Sequence, residues 1–169
     1  MSLRTIMIFP EFDNMDRIDR IRAQYDPLAA LVRPHITLVF PFESPMSNEE
    51  LAAVLGKRLQ GVKPFPLSLH GIRTDASGNY LFLNVTHGKL ELCAVNRLLY
   101  GHEFQAFDRG IPYVPHMTIG RLPDARQLDA AYEELKAMDA VFHTAVDTVS
   151  VEMIGEHEAS IIVPEHRLG

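Results

Sequence analysis

The chain of 169 residues is 47% hydrophobic, enough for one domain with a real core, and no apolar run approaches the ~20 residues a membrane helix needs. Its net charge is −6 with no Lys/Arg run or basic arm, which argues against gripping extended duplex nucleic acid through many phosphates and leaves short phosphate-bearing ligands open. Cys93 is the only cysteine, so no internal disulfide is possible, and the N-terminus lacks a secretory pattern; a cytoplasmic protein is expected.

Leu3 to Phe9 combines partial alternation with β-branched residues ahead of Pro10 and predicts a strand. From Asp13 to Tyr25, residues Met15, Ile18, Ile21, Arg22 and Tyr25 recur at helical spacing, predicting a helix capped by Asp13 or Asn14 and stopped before Pro27. His35 to Phe42 is rich in β-formers and predicts a strand. Ser47 and Glu50 have capping-box spacing and open a helix running to about Gln60. Phe65 to Arg73 and Asn79 to Thr86 predict a hairpin around the polar turn 75–78. Leu90 to Tyr100 predicts a helix stopped by Gly101, and residues 102–112 a loop holding Phe104 and Phe107. Tyr113 to Leu122 predicts a strand and Asp124 to Met138 a helix. Phe142 to Ile154 alternates over one long run, and Ala159 to Val163 forms a last strand. Mixed strands and helices with hairpins favour an α+β fold with antiparallel sheets. No linker divides the chain, so residues 1–169 are expected to form a single domain.

Two segments are near-copies: Val32-Arg33-Pro34-His35-Ile36-Thr37-Leu38 and Tyr113-Val114-Pro115-His116-Met117-Thr118-Ile119. They stand about half the chain apart, which suggests an internal duplication with pseudo-two-fold symmetry. Side chains alternate across a strand, so each copy buries Ile36 and Leu38, or Met117 and Ile119, and presents a His-Thr pair on the other face. A single Pro-His-x-Thr is ordinarily structural, the histidine and threonine satisfying each other. Matched residues at matched strand positions are not required by structure, and favour function. Near neutral pH one imidazole can be neutral and accept a proton while the other is charged and donates one. The threonine hydroxyls can donate hydrogen bonds to phosphate oxygens. His35, Thr37, His116 and Thr118 are therefore the candidate catalytic residues.

On these two motifs the chain resembles the 2H phosphoesterase superfamily, which includes bacterial 2′-5′ RNA ligases and cyclic nucleotide phosphodiesterases. The opening Ile8-Phe9-Pro10 and the segment from Pro34 to Phe42 look most like its small bacterial RNA-ligase-like branch. The resemblance implies a bilobal α+β fold, two pseudo-symmetric antiparallel sheets flanked by helices, with a central cleft. It implies general acid–base catalysis by the two histidines on 2′,3′-cyclic phosphates or 2′-5′ linkages of RNA ends or small nucleotides, without assigning acid and base. The same cleft also suits a nucleotide sensor without turnover, and a purely structural domain would hold the histidines apart. In the family the residue five places after each motif histidine often lines the cleft; here these are Phe40, expected in the core, and Arg121. Arg121 suits phosphate by its planar fork, yet strict alternation puts it on the wrong face unless the strand bends near Gly120. Arg33, Arg73, Arg109 and Tyr80 are further candidates for the cleft wall, each set against the plainer reading of a solvated surface residue. Arg121, Tyr80 and Arg33 are carried forward as the substrate-binding set.

The remaining histidines show no metal-site spacing, and neither His-Glu-x-x-His nor Cys-x-x-Cys nor a phosphate loop occurs, so no metal and no cofactor is expected. Cys93, beside Leu92 and Ala94, reads as a small buried hydrophobe.

Overall fold

The computed structural model describes residues 1–169, apart from the side chain of Glu158. The elements run β1 (Ser2–Ile8), α1 (Met15–Tyr25), β2 (Ile36–Ser44), α2 (Asn48–Arg58), β3 (Phe65–Asp75), β4 (Tyr80–His87), α3 (Lys89–Tyr100), β5 (His116–Arg121), α4 (Ala125–Leu135), β6 (Phe142–Val146), β7 (Thr148–Ile154) and β8 (Ser160–Arg167). The strands form two four-stranded sheets in the orders β2-β1-β7-β8 and β5-β4-β3-β6, with all pairings antiparallel. The α+β fold and the antiparallel sheets read from the sequence are both present. The first sheet joins the two ends of the chain, the second takes its middle, and each motif strand lies at a sheet edge.

The helices cross between the halves. α1, which follows β1, packs on β5 of the second sheet; α3, which follows β4, packs on β2 of the first. Each motif strand is thus backed by a helix from the other half. Ile18 and Ile21 of α1, Leu92, Val95 and Leu99 of α3, and the inward residues of both sheets join one buried cluster. Full burial of each such aliphatic side chain stabilises by roughly 1.5–3 kcal/mol.

Arg22, read as part of the apolar stripe of α1, is buried as a charge. Its Nε donates to Asp26 at 2.9 Å, and its Nη2 donates to the carbonyl of Val32 at 2.9 Å. That network holds residues 26–32 just ahead of the first motif. The capping box of α2 forms as expected, with Ser47 N–H donating to Glu50 at 2.7 Å and Glu50 N–H to the Ser47 hydroxyl at 3.2 Å.

The structure differs from the sequence reading in several places. Asn14 occupies the cap position of α1 but makes no cap hydrogen bond; its amide donates instead to the Val141 carbonyl at 3.1 Å, tying α1 to the start of β6. The alternating run 142–154 is two strands in different sheets, since β6 pairs with β3 and β7 with β1. The buried positions change parity across Asp147, from Phe142 and Val146 to Val149 and Val151, a slip that period-2 alternation does not reveal. Phe40 is half-exposed and outside the core, because irregular β1–β2 pairing on either side of Ile6 breaks the alternation there. Cys93 is half-buried.

Candidate active site

His35 and Thr37 are half-exposed on the first motif strand while Ile36 and Leu38 are fully buried; His116 and Thr118 repeat this on the second, over buried Met117 and Ile119. In both copies the imidazole Nδ1 bonds the backbone carbonyl two residues earlier, His35 to Arg33 at 2.7 Å and His116 to Val114 at 2.8 Å. A carbonyl only accepts, so Nδ1 carries the proton and Nε2 is the nitrogen left for a ligand. The intervening proline accounts for the tether. It restricts the residue before it to extended backbone, which orients that residue's carbonyl, and both Pro34 and Pro115 are buried.

The motif edges come together. β2 and β5 lie in contact, and the charge of His116 acts on His35. Tyr113, just ahead of β5, donates its hydroxyl to the Thr37 carbonyl at 2.7 Å. Asn96 donates to the Leu38 carbonyl at 2.8 Å, and the Tyr100 hydroxyl accepts from Phe40 N–H at 3.0 Å. These side chains satisfy backbone groups of an edge strand that would otherwise invite further pairing.

On the second sheet three rows of residues share the histidine face. Asn84 stands opposite His116; Arg73, Phe82 and Thr118 form the next row; Asp75, Tyr80 and Arg121 form the third. The His116 ring lies 3.8 Å from the Phe82 ring, Tyr80 stacks on Phe82 at 5.6 Å and 15°, and Arg121 sits over Tyr80 at 5.2 Å. Arg73 lies over Phe82 at 4.9 Å and donates to Asn84 at 2.8 Å.

Two bulges produce this arrangement. Opposite β4, β5 has an extra residue at Ile119, so Ile119 and Gly120 both point inward and Arg121 returns to the histidine face. The bend the sequence reading required near Gly120 is therefore there. Gly120 suits it because a Cβ would meet Tyr25 Cβ at 3.0 Å and Leu81 Cδ1 at 3.1 Å. On β3 a second irregularity around Gly71, at φ +82°, turns Arg73 away from the face of Leu67 and Leu69.

Arg33 stands apart from this layer, over Phe9 at 4.5 Å and 3.9 Å from Glu11, with Phe9 in turn 6.1 Å from the His35 ring. Arg109 reaches the Pro41 carbonyl at 3.3 Å. The structure thus gathers the two histidines, the two threonines, Tyr80 and Arg121, and leaves Arg33 on the outer flank of His35. Sequence reasoning named Arg73 among the cleft-wall candidates but weighted a solvated surface role above it, and did not single out Phe82 or Asn84. A glycine inside the β3 pattern was the available signal for Arg73, since such a glycine marks a bulge.

Burial holds both histidines below the usual imidazole value, the backbone tether opposing it in each case. At His35 the charges of Arg22 and His116 push further down and Asp26 pushes up; at His116 Arg73 pushes down and Asp75 up. Two imidazoles that favour the neutral form can each act as a base, and an arriving phosphate anion stabilises a proton on one of them. Among the described residues no group of three or more His, Cys, Asp or Glu is disposed to hold a metal ion.

Two antiparallel sheets whose motif-bearing edges meet define a two-lobed α+β protein with a paired-histidine site. The family model of the 2′-5′ RNA ligase superfamily matches residues 10–157, and the chain belongs to that superfamily. A Geobacillus kaustophilus protein provisionally named a phosphoesterase is 35% identical over 150 residues, covering 84% of this chain and 82% of the relative. A Bacillus cereus protein with the same provisional name is 32% identical over 146 residues, covering 84% and 83%. Among solved structures, a phosphoesterase crystal structure superposes with a TM-score of 0.72 at 17% identity, covering 99% of both chains. Escherichia coli LigT in complex with 3′-AMP superposes with a TM-score of 0.70 at 16% identity, covering 99% of this chain and 98% of LigT. At these identities the structural likeness is one of fold.

Proposed function

We propose that the chain is a phosphoesterase that opens 2′,3′-cyclic phosphates, or cleaves 2′-5′ linkages, on short RNA ends or small nucleotides, using His35 and His116 without a metal. The observation that carries this reading is the matched Nδ1 tether, which leaves a free Nε2 on each of two adjoining motif edges. In hydrolysis, one neutral imidazole takes a proton from water as its oxygen bonds phosphorus. The other, protonated, donates to the ribose oxygen as its bond to phosphorus breaks. The product is a phosphomonoester beside a free hydroxyl. Thr37 and Thr118 donate hydrogen bonds to the non-bridging oxygens, and Arg73 and Arg121 supply positive charge on the side of His116.

One observation favours a second reading, a nucleotide sensor. Both imidazoles are held toward neutrality, so the free protein near pH 7 has little proton to donate, and a sensor needs none. Turnover separates the two. The purified protein, in excess EDTA, is given 2′,3′-cyclic nucleotides and 2′-5′-linked dinucleotides beside His35→Ala and His116→Ala. EDTA-resistant turnover that both substitutions abolish supports the enzyme; nucleotide binding without turnover across the panel supports the sensor.

A further inference from the structure

A large concavity lies beyond the histidines, between the end of α1, the β3–β4 turn and α4. It has a volume of about 1050 Å³ and is lined by Gln24, Tyr25, Asn79, Arg121, Gln127 and Glu134, among others. That is the size class of ligand sites, at roughly 300–1,000 Å³. Arg121 lines this groove and also lies over Tyr80 in the layer that reaches His116 through Phe82, so it is the residue the groove and that layer share.

We propose that this groove holds the second nucleoside of the substrate, and that it admits a base and ribose but rejects a further phosphate; the proposal rests on the phosphoesterase reading above. The chemistry of the lining selects the class. Gln24, Asn79 and Gln127 carry amides, which both donate and accept as a base edge requires. Glu134 accepts the Tyr25 hydroxyl through Oε2, and its other oxygen is open to a ribose hydroxyl or an exocyclic amine. That bond pushes the Tyr25 hydroxyl up to about 12 and links the end of α1 to α4 along one wall of the groove. Of the two acids of the groove, Asp26 is neutralised by the buried Arg22 at 2.9 Å, which leaves Glu134. Among the described lining residues Arg121 is the only basic side chain, and it already lies over Tyr80 toward the histidine end. A second phosphate entering here meets the Glu134 carboxylate without a free cation, whereas an uncharged nucleoside meets complementary polar groups. Ala130 and Ala131 leave room for it on α4.

The test compares kcat/KM of the full chain for three substrates: a mononucleoside 2′,3′-cyclic phosphate, a dinucleotide ending in the same cyclic phosphate with a free 5′-hydroxyl, and that dinucleotide with a 5′-phosphate. The hydroxyl-ended dinucleotide is expected to exceed the mononucleotide by at least about tenfold, the scale of a few net hydrogen bonds, and the 5′-phosphate to remove most of that gain. Ala130→Trp, which plugs the groove, collapses the dinucleotide-to-mononucleotide ratio toward one; Gln127→Lys restores the 5′-phosphorylated dinucleotide. A wild-type ratio near one, or a ratio that Ala130→Trp leaves intact in protein of unchanged circular dichroism, overturns the groove. If no substrate is turned over, the phosphoesterase reading fails, and the groove is decided by binding alone. Calorimetry must then show the dinucleotide binding more tightly than the mononucleotide, with the difference lost in Ala130→Trp; equal affinities overturn it.

Discussion

The surroundings of His35 and His116 show how far a duplicated motif determines a site. Both imidazoles are tethered through Nδ1 to the carbonyl before a buried proline, so each copy builds the same tautomer from the same Pro-His pair. Beyond that the halves diverge. His116 lies on Phe82 within an aromatic layer that carries Arg73 and Arg121, whereas His35 has Phe9 at 6.1 Å and the buried Arg22–Asp26 pair behind it. The motif specifies proton chemistry, and the neighbouring strands and helices give one half a cationic wall and the other a packed, neutralised one.

Four experiments break or sharpen that contrast. The shared chemistry predicts that His35→Ala and His116→Ala each cost about 10²–10⁴ in kcat on the best substrate, and that the double variant loses far less than their product; a single variant retaining wild-type kcat would end the symmetry. Next come the threonines. Thr37→Val and Thr118→Val each remove a donor to the developing phosphate charge and are expected to cost about 10²-fold. Stopped-flow or steady-state rates that fall for Thr118 alone would place the phosphate wholly on the second sheet.

On the side of His35, Arg22→Met leaves Asp26 buried without its partner, a loss of about 3–5 kcal/mol in denaturant unfolding. The stacked layer at His116 does not depend on that pair.

The finest test uses histidine titration by NMR. Arg73→Met should raise the His116 value, since a cation that opposes protonation is gone, and Asp75→Asn should lower it; neither residue acts directly on His35, which should respond less, and only through the charge of His116. The same depression has a thermodynamic consequence. Both folded values lie below the unfolded 6.5, so below about pH 6.5 the unfolded chain binds more protons and stability declines as pH falls toward the folded values. The double alanine variant should lack that part of the slope. For the same reason the kcat/KM profile of the wild type should peak on the acid side of 6.5.

Much of this was legible in the chain. The His-Thr alternation at 35–37 and 116–118, the capping box at Ser47 and the hairpin about Gly78 rest on rules spanning a few residues, and they appear in the fold where those rules put them. The division of 142–154 between two sheets was not legible, because alternation records which face a residue takes and says nothing of which sheet receives it. Arg73 illustrates the same limit: counted by twos it shares a face with Leu67 and Leu69, and only the irregularity at Gly71 turns it to His116. Arg121 was readable as far as the need for a bend, which the pairing of β5 with β4 then supplies.

Composition and two short repeats, by themselves, determined an α+β chain with two equivalent histidines, since strand periodicity and proline geometry are local properties. That β2 and β5 would both be edges, that each would be backed by the other half's helix, and that Arg73 and Arg121 would gather beside only one histidine was decided by tertiary structure, because bulges, sheet order and helix crossing arise from contacts between segments far apart in the chain.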